Sequence, residues 1–297
     1  RAAYPSSLLM GVVPAQAAGV QEIIVTTPCG RDGRTNPVIL AAAFELGIES
    51  VFRLGGAQAI AALAFGTDSV PRVDKIVGPG NIYVATAKKM LYGQCGIDMV
   101  AGPSEVLIIA DGSADPEFIA ADLLAQAEHD PLASSILVTD LPKLAAQVAR
   151  QVISQTAQLP RSAIIEQSVE HFGGIVLCAS MDECIDVCNR LAPEHLGLHV
   201  AQPWEMLSRI RNAGAIFLGH YSPEAVGDYW AGPNHVLPTN GSARFFSPLR
   251  TEDFLKVSSL IAYSKEAMQK HGDKIVKFAE SEGLDAHAAS VSRRMRR

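Results

Sequence analysis

Aromatic side chains are scarce in this sequence, at 6%, and charged ones, at 19%, fall below the usual quarter. Ala, Val, Ile and Leu must then fill the interior, as they do where strands and helices alternate. No apolar run reaches the roughly 18 residues of a membrane-spanning helix, and no signal peptide is recognisable. Five cysteines make an odd count without framework spacing, which argues against a disulfide scaffold and for a reduced, cytoplasmic protein. Cys184 and Cys188, four apart on an apolar helical pattern, read as small core residues rather than metal ligands. An excess of one charge sign is also missing: 25 basic against 31 acidic residues give −6, so neither nucleic acid nor an anionic membrane is an expected partner. The basic ending Arg293–Arg297 reads as a solvated last helical turn.

What is present is length and rhythm. At 297 residues and 48% hydrophobic, the chain can bury two cores. It opens at Arg1 without an initiator Met and runs straight into packed-looking sequence, which predicts lost upstream residues. A helical pattern from Pro5 to Gly19 leads to strand Glu22–Thr27 and the turn-rich Pro28–Gly33. Helix Pro37–Leu46 follows, stopped by Gly47. Then come Ser50–Leu54, Gly56–Phe65, Lys75–Val77 and Asn81–Leu91, alternately strand and helix. This order predicts a parallel sheet with ligands at the C-terminal ends of its strands.

A second alternating unit has strands at Glu105–Ala110, Ser135–Thr139, Gly174–Cys178 and Ala215–Leu218. Helices Asp115–Glu128, Lys143–Gln158 and Met181–Leu191 lie between them, the first opened by an Asp cap with Pro behind it. Residues 220–249, rich in Gly, Pro, Ser and aromatics, read as a long functional loop. The expected class is α/β, with two Rossmann-like parallel-sheet units, the first incomplete or split, and a helical C-terminal tail. The expected boundaries are 1–103 for the nucleotide side, 104–249 for the metal and catalytic side, and 250–297 for the tail.

Four segments carry candidate chemistry. In Leu124–Pro131, Gln126 and His129 are three apart and share a helix face, near an exposed end set by Pro131. The imidazole suits zinc and the amide oxygen is a rarer ligand; two polar residues on a solvated helix end is the plainer alternative. In Leu191–Leu196, Pro193 places Glu194 and His195 in one loop beyond a helix, two proton-transfer groups side by side. An exposed Glu–His pair is the alternative. The stretch Gly227–Thr239 presents Asp228 and His235 from a path fixed by Gly and Pro; Asp228 could complete an N/O metal set, or belong to a structural turn. Glu282 and His287 lie five apart on the tail, an imperfect pair whose default is surface. The glycine-rich turns Leu54–Gln58 and Val77–Asn81 let a cofactor approach the backbone, but neither is G-x-G-x-x-G. The loop Ala101–Glu105 adds the Ser104 hydroxyl.

Together these segments resemble the histidinol dehydrogenases across essentially the whole chain. The strongest matches are Gly55–Ala64, Val73–Asn81, Ala101–Leu107, Gln126–His129, Pro193–Leu196, Gly227–Tyr229 and Asn234–Thr239. The resemblance implies a zinc-dependent homodimer that oxidises L-histidinol through L-histidinaldehyde to L-histidine with two NAD⁺. It assigns zinc to Gln126, His129, Asp228 and His287, the last reaching the other subunit by tail exchange. Glu194 and His195 match the catalytic pair. Ser104, Gln126, His129, His195, Asp228, His235, Glu282 and His287 match substrate positions, and Gln58 and Asn81 match NAD contacts. Family members carry a further N-terminal stretch of well over a hundred residues with a nucleotide-contacting tyrosine. The resemblance therefore implies that this chain alone holds Zn²⁺ better than NAD⁺ and is poorly active. A relative that oxidises another small alcohol, and an inactive zinc-binding module, stay open as alternatives.

Overall fold

The computed structural model describes residues 4–296. Its elements form two compact units, divided between Leu255 and Lys256. The larger unit opens with α1 (Pro5–Ala17), β1 (Ile24–Thr26), α2 (Pro37–Glu45), β2 (Ser50–Phe52), α3 (Ala57–Phe65), β3 (Lys75–Ile76), α4 (Ile82–Leu91) and β4 (Gly96–Ile97). Asn36 and Asn81 cap α2 and α4 by accepting from the second or third backbone N–H of each helix. The strands are two or three residues long and pair in parallel as two separate sheets, β1–β2 and β3–β4. The first α/β unit is thus split, as expected. One apolar cluster, built on Ile60, Leu63, Val70 and Ile76, holds α3 and β3 together with the partly buried Ile24 and Phe52.

The second part continues with β5 (Glu105–Ala110), α5 (Pro116–Ala127), β6 (Ser134–Thr139), α6 (Pro142–Thr156), α7 (Ser162–Phe172), β7 (Gly173–Leu177), α8 (Met181–Leu191), β8 (His195–His199), α9 (Pro203–Leu207), β9 (Ala215–Leu218) and α10 (Glu224–Tyr229). Five strands make one wholly parallel sheet in the order β7-β6-β5-β8-β9. Both faces are covered. Leu107, Ile109, Leu196 and Leu198 meet α8 through Cys184, Ile185 and Cys188, while Val106, Ile108 and Ala110 meet α5 and α6 through Ile119, Leu123, Leu144 and Val148. Strands buried on both sides read as continuous apolar runs, which is why β5 and β6 were legible. Side chains alternate along a strand, and His195, Gly197 and His199 pair with Val106, Ile108 and Ala110. Those three β8 residues therefore lie on the α5 side.

The structure corrects three expectations. Residues 193–196 are only half a loop: Pro193 and Glu194 are irregular, but His195 begins β8, an inner strand of the sheet. Residues 220–249 are not wholly irregular, since Pro223 leads into α10, which carries Asp228. The helices of the tail start late: after a short 3₁₀ turn at Thr251–Phe254, helix resumes only with α11 (Lys265–Ser281) and α12 (Asp285–Met295) of the smaller unit. Among the described residues no helix is long and apolar enough to cross a membrane.

Candidate active site

The polar side chains gather at the N-terminal edge of the five-stranded sheet, where β5 and β8 begin, rather than at the C-terminal edge usual for open parallel sheets. The reason is local. Helix α8 ends on Ala192, a non-glycine residue held in the left-handed conformation (φ 52°, ψ 61°) whose N–H bonds Cys188 O. This strained turn, of a kind that costs about 1–3 kcal/mol, aims Pro193 and Glu194 back over the start of β5. Gly214 lets the chain pass close behind, because a Cβ there would sit 2.5 Å from Glu194 O.

Glu194 and His195 are each 5% exposed, so the alternative of a solvated pair is excluded. A Glu194 carboxylate oxygen accepts from Glu105 N–H at 3.0 Å, and the Ser104 hydroxyl donates to the same side chain. Burial pushes Glu194 well above the ordinary carboxylate range, and the nearby charges of Glu224 and Glu105 add to this. His195 Nδ1 lies 3.1 Å from Glu105 O. A carbonyl can only accept, so Nδ1 carries the proton and Nε2 is the basic nitrogen. Burial, assisted by His129 and His235, holds His195 down to about 4, so its ring is neutral at neutral pH. Its Nε2 stands 3.8 Å from Glu224 Oε1.

Gln126 is fully buried, and both polar atoms of its amide lack a partner. This departs from the expected exposed helix end, where Leu124 and Ala127 also pack against Ile165 of α7. An unpaired buried polar group costs about 1–3 kcal/mol, so such an amide is suited to a bound ligand. His129, just past α5, and Asp228, on α10, are half-buried. Burial raises Asp228, while His235 and His129 are close enough to pull it back. His235 is steered by its neighbour Asn234, whose amide donates to Met10 O and accepts from Val236 N–H, both at 2.8 Å; His235 Nε2 is itself buried without a partner.

The structure thus brings Ser104, Gln126, His129, Glu194, His195, Asp228 and His235 to one region. Gln58, in the first turn of α3, and Asn81, the cap of α4, are exposed. Glu282 and His287 belong to the smaller unit, where they line a cleft of about 800 Å³ with Lys274, Ile275, Phe278 and Leu284. Among the described residues no three His, Cys, Asp or Glu side chains are assembled for a metal. Sequence reasoning missed Glu105, Asp122, His199 and Glu224. The signal was present for three of them: Asp122 and Glu224 stand one helical turn before Gln126 and Asp228, and His199 follows His195 on the same strand face.

The fold and site define an α/β enzyme that keeps a buried imidazole beside buried carboxyl groups, the equipment of general acid–base chemistry. A family model described as histidinol dehydrogenase matches residues 1–295. The chain is 58% identical over 296 residues to the histidinol dehydrogenase of Geobacter sulfurreducens, covering 100% of this chain and 69% of that protein. To the histidinol dehydrogenase of Bacillus subtilis it is 56% identical, with the same coverage. The crystal structure of histidinol dehydrogenase from Elizabethkingia anophelis matches with a TM-score of 0.94 at 44% identity, covering 99% of this chain and 68% of that one. A putative aldehyde dehydrogenase, PutA from Anabaena variabilis, shares the fold alone, with a TM-score of 0.54 at 12% identity over 86% of this chain and 70% of that one. The chain belongs to the histidinol dehydrogenase family, NAD-dependent oxidoreductases of the last step of histidine biosynthesis.

Proposed function

We propose that the enzyme oxidises L-histidinol to L-histidinaldehyde and then to L-histidine in this one pocket, with His195 and Glu194 as its proton-transfer groups. The observation that carries the reading is a neutral, buried imidazole whose Nδ1 is tied to Glu105 O, set beside a buried carboxyl group. His195 takes the alcohol proton at Nε2 as hydride leaves the carbinol carbon for NAD⁺. Glu194, in its carboxylate form, then takes a proton from the water that attacks the aldehyde. The hydrate loses the second hydride. Sealing both steps in one dry site keeps the aldehyde from solvent.

Gln126, His129, Asp228 and the partner subunit's His287 would hold a zinc ion. The orphaned Gln126 amide fits that role. Bound zinc supplies a Lewis acid that fixes the imidazole and amine of the substrate. The requirement for a tail histidine favours a homodimer with exchanged tails. In line with this, Val257, Leu260 and Ile261 are 98%, 97% and 86% exposed, an apolar run suited to a second copy of the chain. Ser104, His235 and Glu282 complete the substrate set, and Gln58 and Asn81 contact NAD. Residues 1–103, 104–249 and 250–297 then serve as nucleotide side, catalytic side and exchanged tail. The free thiols suit a reducing cytoplasm.

The test uses protein expressed from its whole coding sequence. We expect one zinc per subunit, a dimer by sedimentation, and histidinol-dependent NADH formation that a chelator abolishes and Zn²⁺ restores. Turnover of a simple diol with no response to histidinol would overturn the substrate. The turn bearing Asn81 gives a separate prediction. A Cβ at Gly80 would lie 2.4 Å from Val84 Cβ and Cγ1, so Gly80→Ala forces the start of α4 to move. The expected result is a loss of about 1–3 kcal/mol in stability and a raised KM for NAD⁺, with zinc content unchanged. Equal NAD⁺ kinetics in the variant would remove this turn from the nucleotide site.

A further inference from the structure

Glu224, the first residue of α10, carries a carboxyl group that the chemistry described so far does not use. It is 8% exposed, and its Oε2 is buried without a hydrogen-bond partner. Leaving a buried polar group unpaired costs stability, so the burial of this one calls for a reason outside the fold. Two local contacts bring it there. The Ser222 hydroxyl donates to Leu218 O at 2.9 Å and closes the turn after β9. Gly227 then lets α10 lie against Phe217 of β9, since a Cβ there would stand 2.7 Å from Phe217 Cε1. Phe217 pairs with Gly197 and so shares the α5 side of the sheet with His195. The Phe217 and His195 rings are 6.0 Å apart between centroids, tilted by 39°.

The result is an imidazole with a carboxyl group near each nitrogen. His195 Nδ1, whose proton goes to Glu105 O, is 3.7 Å from Glu194 Oε2, and Nε2 is 3.8 Å from Glu224 Oε1. The two carboxyl groups are held differently. Glu194 accepts from Glu105 N–H at 3.0 Å, whereas Glu224 Oε2 accepts from nothing. A separation of 3.8 Å is beyond hydrogen-bond range, so Glu224 leaves the basic Nε2 free to receive a proton from a substrate oxygen. It is still close enough for an opposite charge to favour the protonated ring. That ring needs the help: burial, and after it the charges of His129 and His235, oppose a proton on His195.

We propose that Glu224 is a positioning residue for the general base: in its carboxylate form it stabilises the imidazolium that His195 becomes when it takes the alcohol proton at Nε2. The inference rests on the role proposed above for His195. In that step the alcohol O–H bond breaks, an N–H bond forms at Nε2, and the hydride pair leaves the carbinol carbon for NAD⁺. Glu224 makes and breaks no bond; it supplies charge. Its attraction for the ring is slight while the imidazole is neutral and grows as the proton arrives. It therefore lowers the barrier without tightening the binding of substrate. A carboxylate kept for a charge that appears only during reaction has no partner in the resting fold, which is the condition of Glu224 Oε2.

The experiment compares wild type with Glu224→Gln, Glu224→Asp, His195→Gln and the double variant His195→Gln/Glu224→Gln, in protein expressed from its whole coding sequence. The readouts are kcat and KM for histidinol and the melting temperature. Glu224→Gln keeps the volume and removes the charge, and should lower kcat about 10-fold to 100-fold. That lies within the gain in proton affinity of about 10–10³ that an opposite charge at this range confers. KM should change little, and the melting temperature should hold or rise, because the buried group no longer carries a charge. Glu224→Asp should keep more of the rate than Glu224→Gln, although it fills the space less well. The double variant should be no slower than His195→Gln, since Glu224 acts through the ring. Wild-type kcat in Glu224→Gln overturns the proposal. A lower melting temperature or a failure to fold in Glu224→Gln marks the carboxyl as structural and overturns it too. So does Glu224→Asp slower than Glu224→Gln, or a double variant slower than His195→Gln by the full Glu224→Gln factor. In each of these cases a severe defect in His195→Gln leaves the site proposal standing; full activity in His195→Gln overturns both.

Discussion

Replacing Lys88 with methionine is expected to cost about 3–5 kcal/mol of stability, the penalty for stranding one partner of a buried ion pair. The Lys88 and Asp98 side chains are 2% and 1% exposed and form a salt bridge. Lys88 also donates to Gly78 O at 3.0 Å, while Asp98 accepts from Gly78 N–H at 2.8 Å and Met99 N–H at 2.6 Å. The pair therefore grips Gly78 by both its carbonyl and its amide, fixing the turn that leads to Asn81. Without the ammonium, the Asp98 charge is buried with only backbone donors. A thermal melt should fall by roughly 6–20 °C, given about 2–4 °C per kcal/mol for chains of this order of size. Replacing both residues with apolar ones of similar volume should recover much of the loss, because the uncompensated charge is gone. An unchanged melting temperature for Lys88→Met would show that the pair contributes nothing to the fold. Arg is not an equivalent substitute, since its planar fork cannot match the single point at which the ammonium meets Asp98 and Gly78.

The second large effect is chemical. His195→Gln should lower kcat for histidinol by about 10²–10⁴, the range for removal of a general base, with KM changed little. Glu194→Gln should separate the half-reactions. Oxidation of supplied histidinaldehyde, which needs water activated, should lose a comparable factor, while the first hydride transfer from histidinol survives. The same loss in both half-reactions for both variants would mean that the two side chains act as one unit. Gln preserves the volume at each site, and zinc content checks that the surrounding pocket is intact.

Much of this was legible in the sequence, and what was not has physical causes. Strands β5 and β6 announce themselves as apolar runs because both of their faces are covered. Strand β8 did not, since its α5 side carries His195, Gly197 and His199, and that polarity belongs to the site rather than to a loop. Gln126 and His129 could be placed on a helix end from spacing alone. The burial of Gln126 was not legible, since it depends on tertiary packing around α5 that no local spacing marks. Asp228 looked like a loop residue because Gly, Pro and aromatics surround the six-residue α10. The contacts that shape the pocket join residues far apart in sequence: Asn240 N–H to the Glu105 carboxylate, Gly102 N–H to the Thr239 hydroxyl, Asn234 to Met10. No local pattern encodes them. Family motifs supplied the residue list, and the fold supplied a reason for the neutral ring of His195 and the raised Glu194.

The most direct test of the central claim, that one pocket carries both oxidations with His195 and Glu194 in separate roles, is the number of NADH formed per histidinol consumed. The wild-type enzyme should give two, with histidine as the product, and Glu194→Gln should give one, with aldehyde as the product. Two NADH per histidinol at the wild-type rate in Glu194→Gln would contradict it.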